Sequence, residues 1–367
     1  MDPPRLPVRR SLVEETALVL EEGVSRGLWK GVLPGEHALC AELKVSRTTL
    51  RKALDLLERN GLIAKGGHGR QHRVQPHQDE QPNRKIGTKI RMLSLLPESQ
   101  MVGTTKTALE CFHSELEAAG FTYHFDYCPW LQQRRSREER LQALLNQVEI
   151  GGWALIGMSE EIQQLFADRN LPALVFGSRF PGIRLPCVET ASKAIGHHAA
   201  LEFIRRGHRC IALIHATVKL AGDEQCGQGL QEAAATHSES VEVVNGLYDP
   251  SPSGIRRCMQ QLLSRRHPPS AFFVTQPNFV WPVIGCLQQA GWKIPEQASV
   301  ISRADDLFLT TSVPEVTRYT HDGIRLGKMA ARAMLAVTKG VLDRKVRRTL
   351  MPDFLLGETL GAAPESV

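Results

Sequence analysis

The sequence predicts an α/β chain in two parts, a small N-terminal winged helix-turn-helix and a larger two-lobed, doubly wound parallel-sheet domain. Three observations predict it. Residues 33–63 carry two short amphipathic helices around a tight turn. Residues 63–74 read as a hairpin with a glycine-rich, cationic tip. From residue 90 to about 360, strand and helix patterns alternate strictly, the signature of parallel sheets with crossover helices.

The run LPGEHALCAELKVSRTTLRKALDLLERNGLI spans residues 33–63. Its first helix opens at Leu33-Pro34-Gly35-Glu36 and places Leu39 and Leu43 four apart on one face. Lys44-Val45-Ser46 is a tight turn, and Ser46 is the expected N-cap of the second helix. Leu50, Ala53, Leu54 and Leu57 fall at the i, i+3, i+4, i+7 spacing of one buried face. The first turn instead carries Arg47, Thr48, Thr49 and Arg51. A second helix opening in arginines and hydroxyls suits the major groove, where Arg reaches guanine edges and Thr meets thymine methyls or phosphates. After Gly61-Leu62, the segments 63–65 and 71–74 pair as a wing around Gly66-Gly67-His68-Gly69. Glycines let the backbone approach a phosphate, and His68 and Arg70 supply donors.

The order helix, helix-turn-helix and glycine wing over residues 8–75 resembles the GntR-type winged-helix DNA-binding domain. The resemblance implies a DNA-contacting set of Glu36 and His37 on the first helix, Ser46, Arg47, Thr48, Thr49 and Arg51 at the second, and Gly67, His68, Gly69 and Arg70 in the wing. An Arg-bearing amphipathic helix alone is more often a solvated surface; the combination with the wing favours DNA.

Composition agrees. The 367 residues leave room for two or three domains, and 42% hydrophobic content suits a globular protein with its own cores. The net charge is +6, with basic residues crowded into the first 90 positions, Arg5, Arg9 and Arg10 among them. The 8 cysteines form no C-x-x-C pair, so buried free thiols in a reducing cytosol are expected. No apolar run approaches the roughly 18 residues of a membrane span, and MDPPRLPVRR leads into an amphipathic segment. A cytoplasmic protein with no membrane partner is expected. There is no G-x-S-x-G, P-loop or H-E-x-x-H motif. Gly227-Gln228-Gly229 lacks the preceding strand of a dinucleotide loop, and adjacent His197-His198 face different directions on a helix. No enzyme, cofactor or metal is expected.

Residues 76–89 are polar, contain Pro76 and Pro82 and show no periodicity, so they read as a linker between the 8–75 domain and a 90–360 domain. Strands are expected at 90–96, 121–125, 152–157, 172–176, 207–214, 241–244, 271–274 and 299–301, with helices between them and a last helix at 324–340. Gly120 is the expected C-cap of the helix ending at Ala119. Two such halves make two lobes, with a ligand crevice at the carboxyl ends of the strands.

The segments GHRCIALI (207–214), PPSAFFV (268–274), LQQAGWKIPEQASVIS (287–302) and LGKMAARAMLAVTKG (326–340) resemble the LacI/GalR-type, periplasmic-binding-protein-like effector domain, most clearly over residues 185–360. That family implies a small effector, usually a sugar, in the cleft. The cleft is also where this chain departs from the family pattern. Gln276-Pro277 stands in place of an Asn-Asp pair, and Glu224 in place of an arginine. Arg303 takes an aromatic position, Ala304 that of a first aspartate and Asp305 that of a second. Glu189-Thr190 replaces an Asp-Asn pair, or Ala191-Ser192 if the register slips. The effector-binding candidates are therefore Glu189, Tyr248, Gln276, Arg303 and Asp305, with Trp130, Phe279, Trp281 and Tyr319 as further aromatics that could flank the cleft. Arg303 would suit an acid-bearing ligand.

The resulting expectation is a homodimeric, ligand-responsive transcriptional regulator that represses carbohydrate-utilisation genes. It would bind palindromic double-stranded operator DNA and a sugar or sugar derivative. Two alternatives stay open: a constitutive repressor whose degenerate sensor only dimerises, and a cytoplasmic sugar-binding protein without DNA function.

Overall fold

The computed structural model describes residues 12–25, 28–29, 31–59, 63–64, 72–74, 87–98, 101, 103–147, 149–237 and 240–364. It divides into two units, Met1–Arg84 and Lys85–Val367.

The N-terminal unit contains α1 (Leu12–Ser25), α2 (Glu36–Leu43), α3 (Arg47–Arg59), β1 (Ile63–Ala64) and β2 (Arg73–Val74). Leu50, Ala53, Leu54 and Leu57 of α3 are all buried, against Leu39 of α2, Leu20 of α1, Leu33 and Ile63. Each such leucine contributes about 2 kcal/mol by leaving water. Lys44 stops α2 by adopting a left-handed conformation (φ 53°), and the Val45 N–H closes the turn on the Cys40 carbonyl at 3.3 Å. The wing strands pair antiparallel, Ile63 with Val74 and Ala64 with Arg73. The Leu33 N–H donates to the His72 carbonyl at 2.8 Å and ties the segment before α2 to the wing.

The C-terminal unit begins with β3 (Lys89–Ser94), α4 (Gly103–Ala118), β4 (Thr122–Tyr127), α5 (Arg134–Leu145), β5 (Ile150–Ile156), α6 (Glu160–Asp168), β6 (Ala173–Phe176) and β7 (Cys187–Thr190). It continues with α7 (Ser192–Arg205), β8 (Cys210–Ala216), α8 (Ala221–Thr236), β9 (Glu242–Tyr248), α9 (Pro252–Leu263), β10 (Ala271–Val274), α10 (Val280–Gln289), β11 (Ser299–Ser302), α11 (Leu307–Thr310) and β12 (Thr317–Thr320). It closes with α12 (Gly323–Thr338), β13 (Arg347–Leu350) and β14 (Asp353–Leu355).

These strands form two six-stranded sheets, ordered β13-β7-β6-β5-β3-β4 and β14-β12-β11-β10-β8-β9. Every pairing is parallel except β12 with β14. Each sheet is the core of one lobe, and the central strands β6 and β10 are buried along their whole length, as strands covered on both faces must be. The strand order reverses beside β3 in one lobe and β8 in the other, which opens a crevice at the carboxyl ends of the strands. The chain passes between the sheets three times: after β7 at Ala191, after β12 at His321-Asp322, and after β13 at Met351-Pro352.

Helices α7 and α8 pack closely because of two glycines. A Cβ at Gly196 would strike the Cys226 carbonyl, and one at Gly229 would strike the Lys193 carbonyl. Gly120 follows α4 with φ 82°. Four strands escape the sequence pattern: β7, β12, β13 and β14. Arg318 lies buried within β12 and β13 opens with two arginines, so neither shows an apolar run.

Candidate functional site

The N-terminal unit presents the amino end of α3 to solvent. Ser46 Oγ accepts from the Thr49 N–H at 3.1 Å and lies 2.8 Å from Thr49 Oγ1, so the serine caps the helix. Arg47 and Thr48 are exposed and Thr49 is half-buried. His37 is exposed on α2. Arg51 Nε donates to both carboxylate oxygens of Glu36, at 3.2 and 3.0 Å, and Nη2 lies 3.0 Å from Oε2. Glu36 thus holds Arg51 in place across the two helices, and its charge faces the same surface as the arginines. Gly67, His68, Gly69 and Arg70 lie outside the described residues.

The C-terminal unit holds a cavity of about 210 Å³ between its lobes. One wall comes from the carboxyl ends of β5, β6 and β7, including Gly157, Met158, Gly177, Ser178, Glu189 and Thr190. The other comes from the start of α8 and the turn after β11, including Gly222, Arg303 and Ala304. His321 and Pro352, at two of the crossings, close it. The lobes touch around it: Gln225 Nε2 donates to the Arg179 carbonyl at 3.3 Å, and Arg347 Nη2 donates to Gln225 Oε1 at 3.1 Å.

Polar groups in this wall are desolvated. Glu189 is 1% exposed; its Oε1 accepts from Arg347 Nε, and its Oε2 has no partner among the described residues. Arg303 Nη1 donates to Asp223 Oδ1 at 2.7 Å, while Asp223 Oδ2 is also unpartnered there. His321 Nδ1 lies 3.5 Å from Thr104 Oγ1, and Nε2 is unpartnered among the described residues. Burial lowers the His321 pKa, against the opposing pull of Asp305 and Asp322, so the neutral imidazole is favoured. Unpaired buried polar atoms are costly, and two of these, Glu189 Oε2 and His321 Nε2, belong to residues that line the cavity, while Asp223 lies behind Arg303 and does not line it.

The structure brings together only two of the five effector candidates, Glu189 and Arg303. Tyr248 is buried in the core of its lobe, its ring centroid 4.3 Å from that of Phe279 at a tilt of 43°, and does not line the cavity. Burial pushes its phenol pKa up. Gln276 precedes the short 3-10 turn Pro277–Phe279 and is likewise absent from the lining. Asp305 accepts from Arg318 Nε at 2.7 Å; a buried strand arginine uses this carboxylate, and it too does not line the cavity. Trp130, Phe279, Trp281 and Tyr319 stand elsewhere, packed in hydrophobic clusters or against His198; Phe176 is the aromatic of the lining. The suitability of Arg303 for an acid is reduced by its pairing with Asp223. Ser178 and His321 are lining residues the sequence reading passed over, and Ser192, which also lines the cavity, entered it only as the alternative register of the replaced Asp-Asn pair. Ser178 lies two residues past the end of the buried strand β6, so its place at a carboxyl strand end is a signal the sequence offers.

Comparison with known proteins supports both units. The model of bacterial regulatory proteins of the gntR family matches residues 28–69. The periplasmic binding protein-like domain matches residues 200–360. The probable HTH-type transcriptional repressor ExuR of Bacillus subtilis (strain 168) is 22% identical over 173 residues, 46% of this chain and 51% of that protein. The chain therefore spans about half the length of that relative. The arabinose metabolism transcriptional repressor of Geobacillus stearothermophilus is 23% identical over 314 residues, 83% of this chain and 84% of the repressor. Among solved structures, the transcriptional regulator CelR-cellobiose complex has a TM-score of 0.63 at 18% identity, covering 96% of this chain and 100% of that one. At that identity the likeness establishes the fold.

Proposed function

We propose that this chain, a GntR-type helix-turn-helix domain joined to a periplasmic-binding-protein-like domain, is a ligand-responsive DNA-binding transcriptional regulator that represses carbohydrate-utilisation genes. The observation that carries the reading is the presence of an exposed, capped, arginine-bearing helix start together with a two-lobed body that holds a cavity lined by unsatisfied polar atoms. The helix start reads a half-site in the major groove, and a homodimer places two such helices about 34 Å apart on a palindromic operator. A small effector in the cavity favours one arrangement of the lobes and so biases operator affinity through its differential binding to two states. The arabinose metabolism repressor among the relatives supports a carbohydrate effector. No helix among the described residues is long and apolar enough to cross a membrane, in keeping with action on DNA in the cytoplasm.

Selection of binding sites from a random duplex pool, followed by titration of the selected site with and without a metabolite panel, tests the reading. A palindromic consensus whose affinity shifts with one sugar class is expected. Failure to enrich any sequence would overturn it. The second reading, a constitutive repressor with a degenerate sensor, is favoured by one observation: Asp305, Gln276 and Tyr248 do not reach the cavity. Enrichment of an operator whose affinity no metabolite shifts would select it.

A further inference from the structure

We propose that the interlobe cavity takes a small polyhydroxylated ligand carrying a protonated amine, such as an amino sugar, with Glu189 Oε2 as the partner of the amine. The inference rests on the reading of the body as a ligand sensor and names the class of ligand.

The first support is the state of Glu189. Its side chain is fully buried, it lines the cavity, and Oε2 is unpartnered among the described residues. Arg347, which holds Oε1, is 46% exposed. Water therefore screens the guanidinium, while the carboxylate is removed from water. The hydrogen bond that Oε2 lacks is one that a donor must supply. A cationic donor gives the stronger, charge-assisted bond.

The second support is the state of the cation in the opposite wall. Arg303 already donates to Asp223, and both side chains are largely buried. An acidic ligand would compete with a pre-formed carboxylate partner. The unsatisfied carboxylate oxygen of the lining residue Glu189 thus calls for a donor. Ser178 and Ser192, whose hydroxyl oxygens lie 3.5 Å apart, each donate and accept, as ring hydroxyls require.

The third support is size. About 210 Å³ is small beside the roughly 300–1,000 Å³ of sites for drug-sized ligands, so a single ring fits better than an oligosaccharide.

The test is calorimetric titration and melting-temperature shift of the full chain near neutral pH with three matched series. Glucose, galactose and mannose are each presented as the neutral sugar, the 2-amino sugar and the uronate. At least one amino sugar should raise the melting temperature and bind about tenfold more tightly than its neutral counterpart, with no response to the uronates. Glu189→Gln should erase that preference. Arg347→Met, which frees the second oxygen of Glu189, should enlarge it, so the proposal stays exposed even if the first variant folds poorly. A neutral sugar or uronate binding as tightly as the matching amino sugar overturns the inference, as does silence from all the amino sugars. Operator selection on the same preparation reports separately: retained DNA binding with silent amino sugars removes this inference and leaves the regulator reading standing.

Discussion

Arg303, in the wall of the interlobe cavity, pairs with Asp223 behind it, with the guanidinium 2.7 Å from Oδ1 and the side chains 20% and 2% exposed. The two residues lie 80 positions apart. Removing one partner leaves the other charge buried and unpaired, at a cost of about 3–5 kcal/mol. Asp223→Ala should therefore lower stability by that amount in urea unfolding, while the double variant Asp223→Ala with Arg303→Met should recover much of the loss. A double variant no more stable than the single one would show that the pair is not the source of the effect.

Histidine burial sets a second expectation. His208 is fully buried between Ser270 and Ser299, at 2.8 and 2.9 Å, and burial lowers its pKa from 6.5 to about 4. Burial lowers the pKa values of His198 and His321 as well. Between pH 6.5 and 4 the unfolded chain binds more protons at His208 than the folded one, so stability falls as the pH falls through that window. At about 1.4 kcal/mol per pH unit, His208 alone accounts for about 3 kcal/mol. Urea unfolding at pH 7, 5.5 and 4.5 should show His208→Gln losing less stability on acidification than wild type. Equal pH slopes would count against the assignment.

Much of this arrangement was legible from residue order. The helical period of α3 announced the buried face at Leu50, Ala53, Leu54 and Leu57, because burial and spacing are the same information there. The strands β5, β6, β8, β10 and β11 announced themselves as short apolar runs. The cavity was harder. Whether a polar residue at a strand end faces a cleft or a neighbour depends on partners far away in sequence. Asp305 looked like a ligand-gripping carboxylate until Arg318, buried on β12, was seen to use it. Arg303 looked like an acid-binding group until Asp223 was found beside it. The aromatics misled for a related reason: apolar area drew Tyr248 and Phe279 into the core of the lobe, away from the cleft.

The crossing of α7 and α8 supplies a third prediction. Gly229 faces the Lys193 carbonyl so closely that a Cβ would displace backbone. Gly229→Ala raises helix propensity, yet it overpacks the contact, and overpacking of this kind costs about 1–3 kcal/mol. The variant should melt lower than wild type despite the better helix former. Gly285→Ala, on α10, has open space around its Cβ position and should be neutral or stabilising. An unchanged melting temperature for Gly229→Ala would mean that the two helices can separate freely.

The helix start of α3 is tested by Arg47→Ala. Arg47 is exposed in the first turn beside the Ser46 cap and is free to reach a base edge. Loss of a bidentate base contact costs about 1–3 kcal/mol and relaxes preference at one position per half-site. Selection from a random pool should then return a consensus degenerate at that position. A variant that returns the wild-type consensus would place Arg47 outside base readout.

Glu36 gives the opposite sign on the same surface. It holds Arg51 through two hydrogen bonds of 3.2 and 3.0 Å and adds a negative charge to the face proposed to meet DNA. Glu36→Gln removes that charge and releases the Arg51 guanidinium toward phosphate. Phosphate contacts act on all sequences alike and steepen the salt dependence by about 0.9 per contact on B-form DNA. The variant should therefore bind unrelated duplex more tightly than wild type, with the slope of log affinity against log salt steeper by about one. Its ratio of operator to unrelated affinity should fall, because the released arginine no longer keeps one orientation across the groove. Titrations of operator and unrelated duplex over a series of salt concentrations measure both quantities. A weaker variant with an unchanged slope would show that the carboxylate orients Arg51 productively and that its charge does not oppose the DNA.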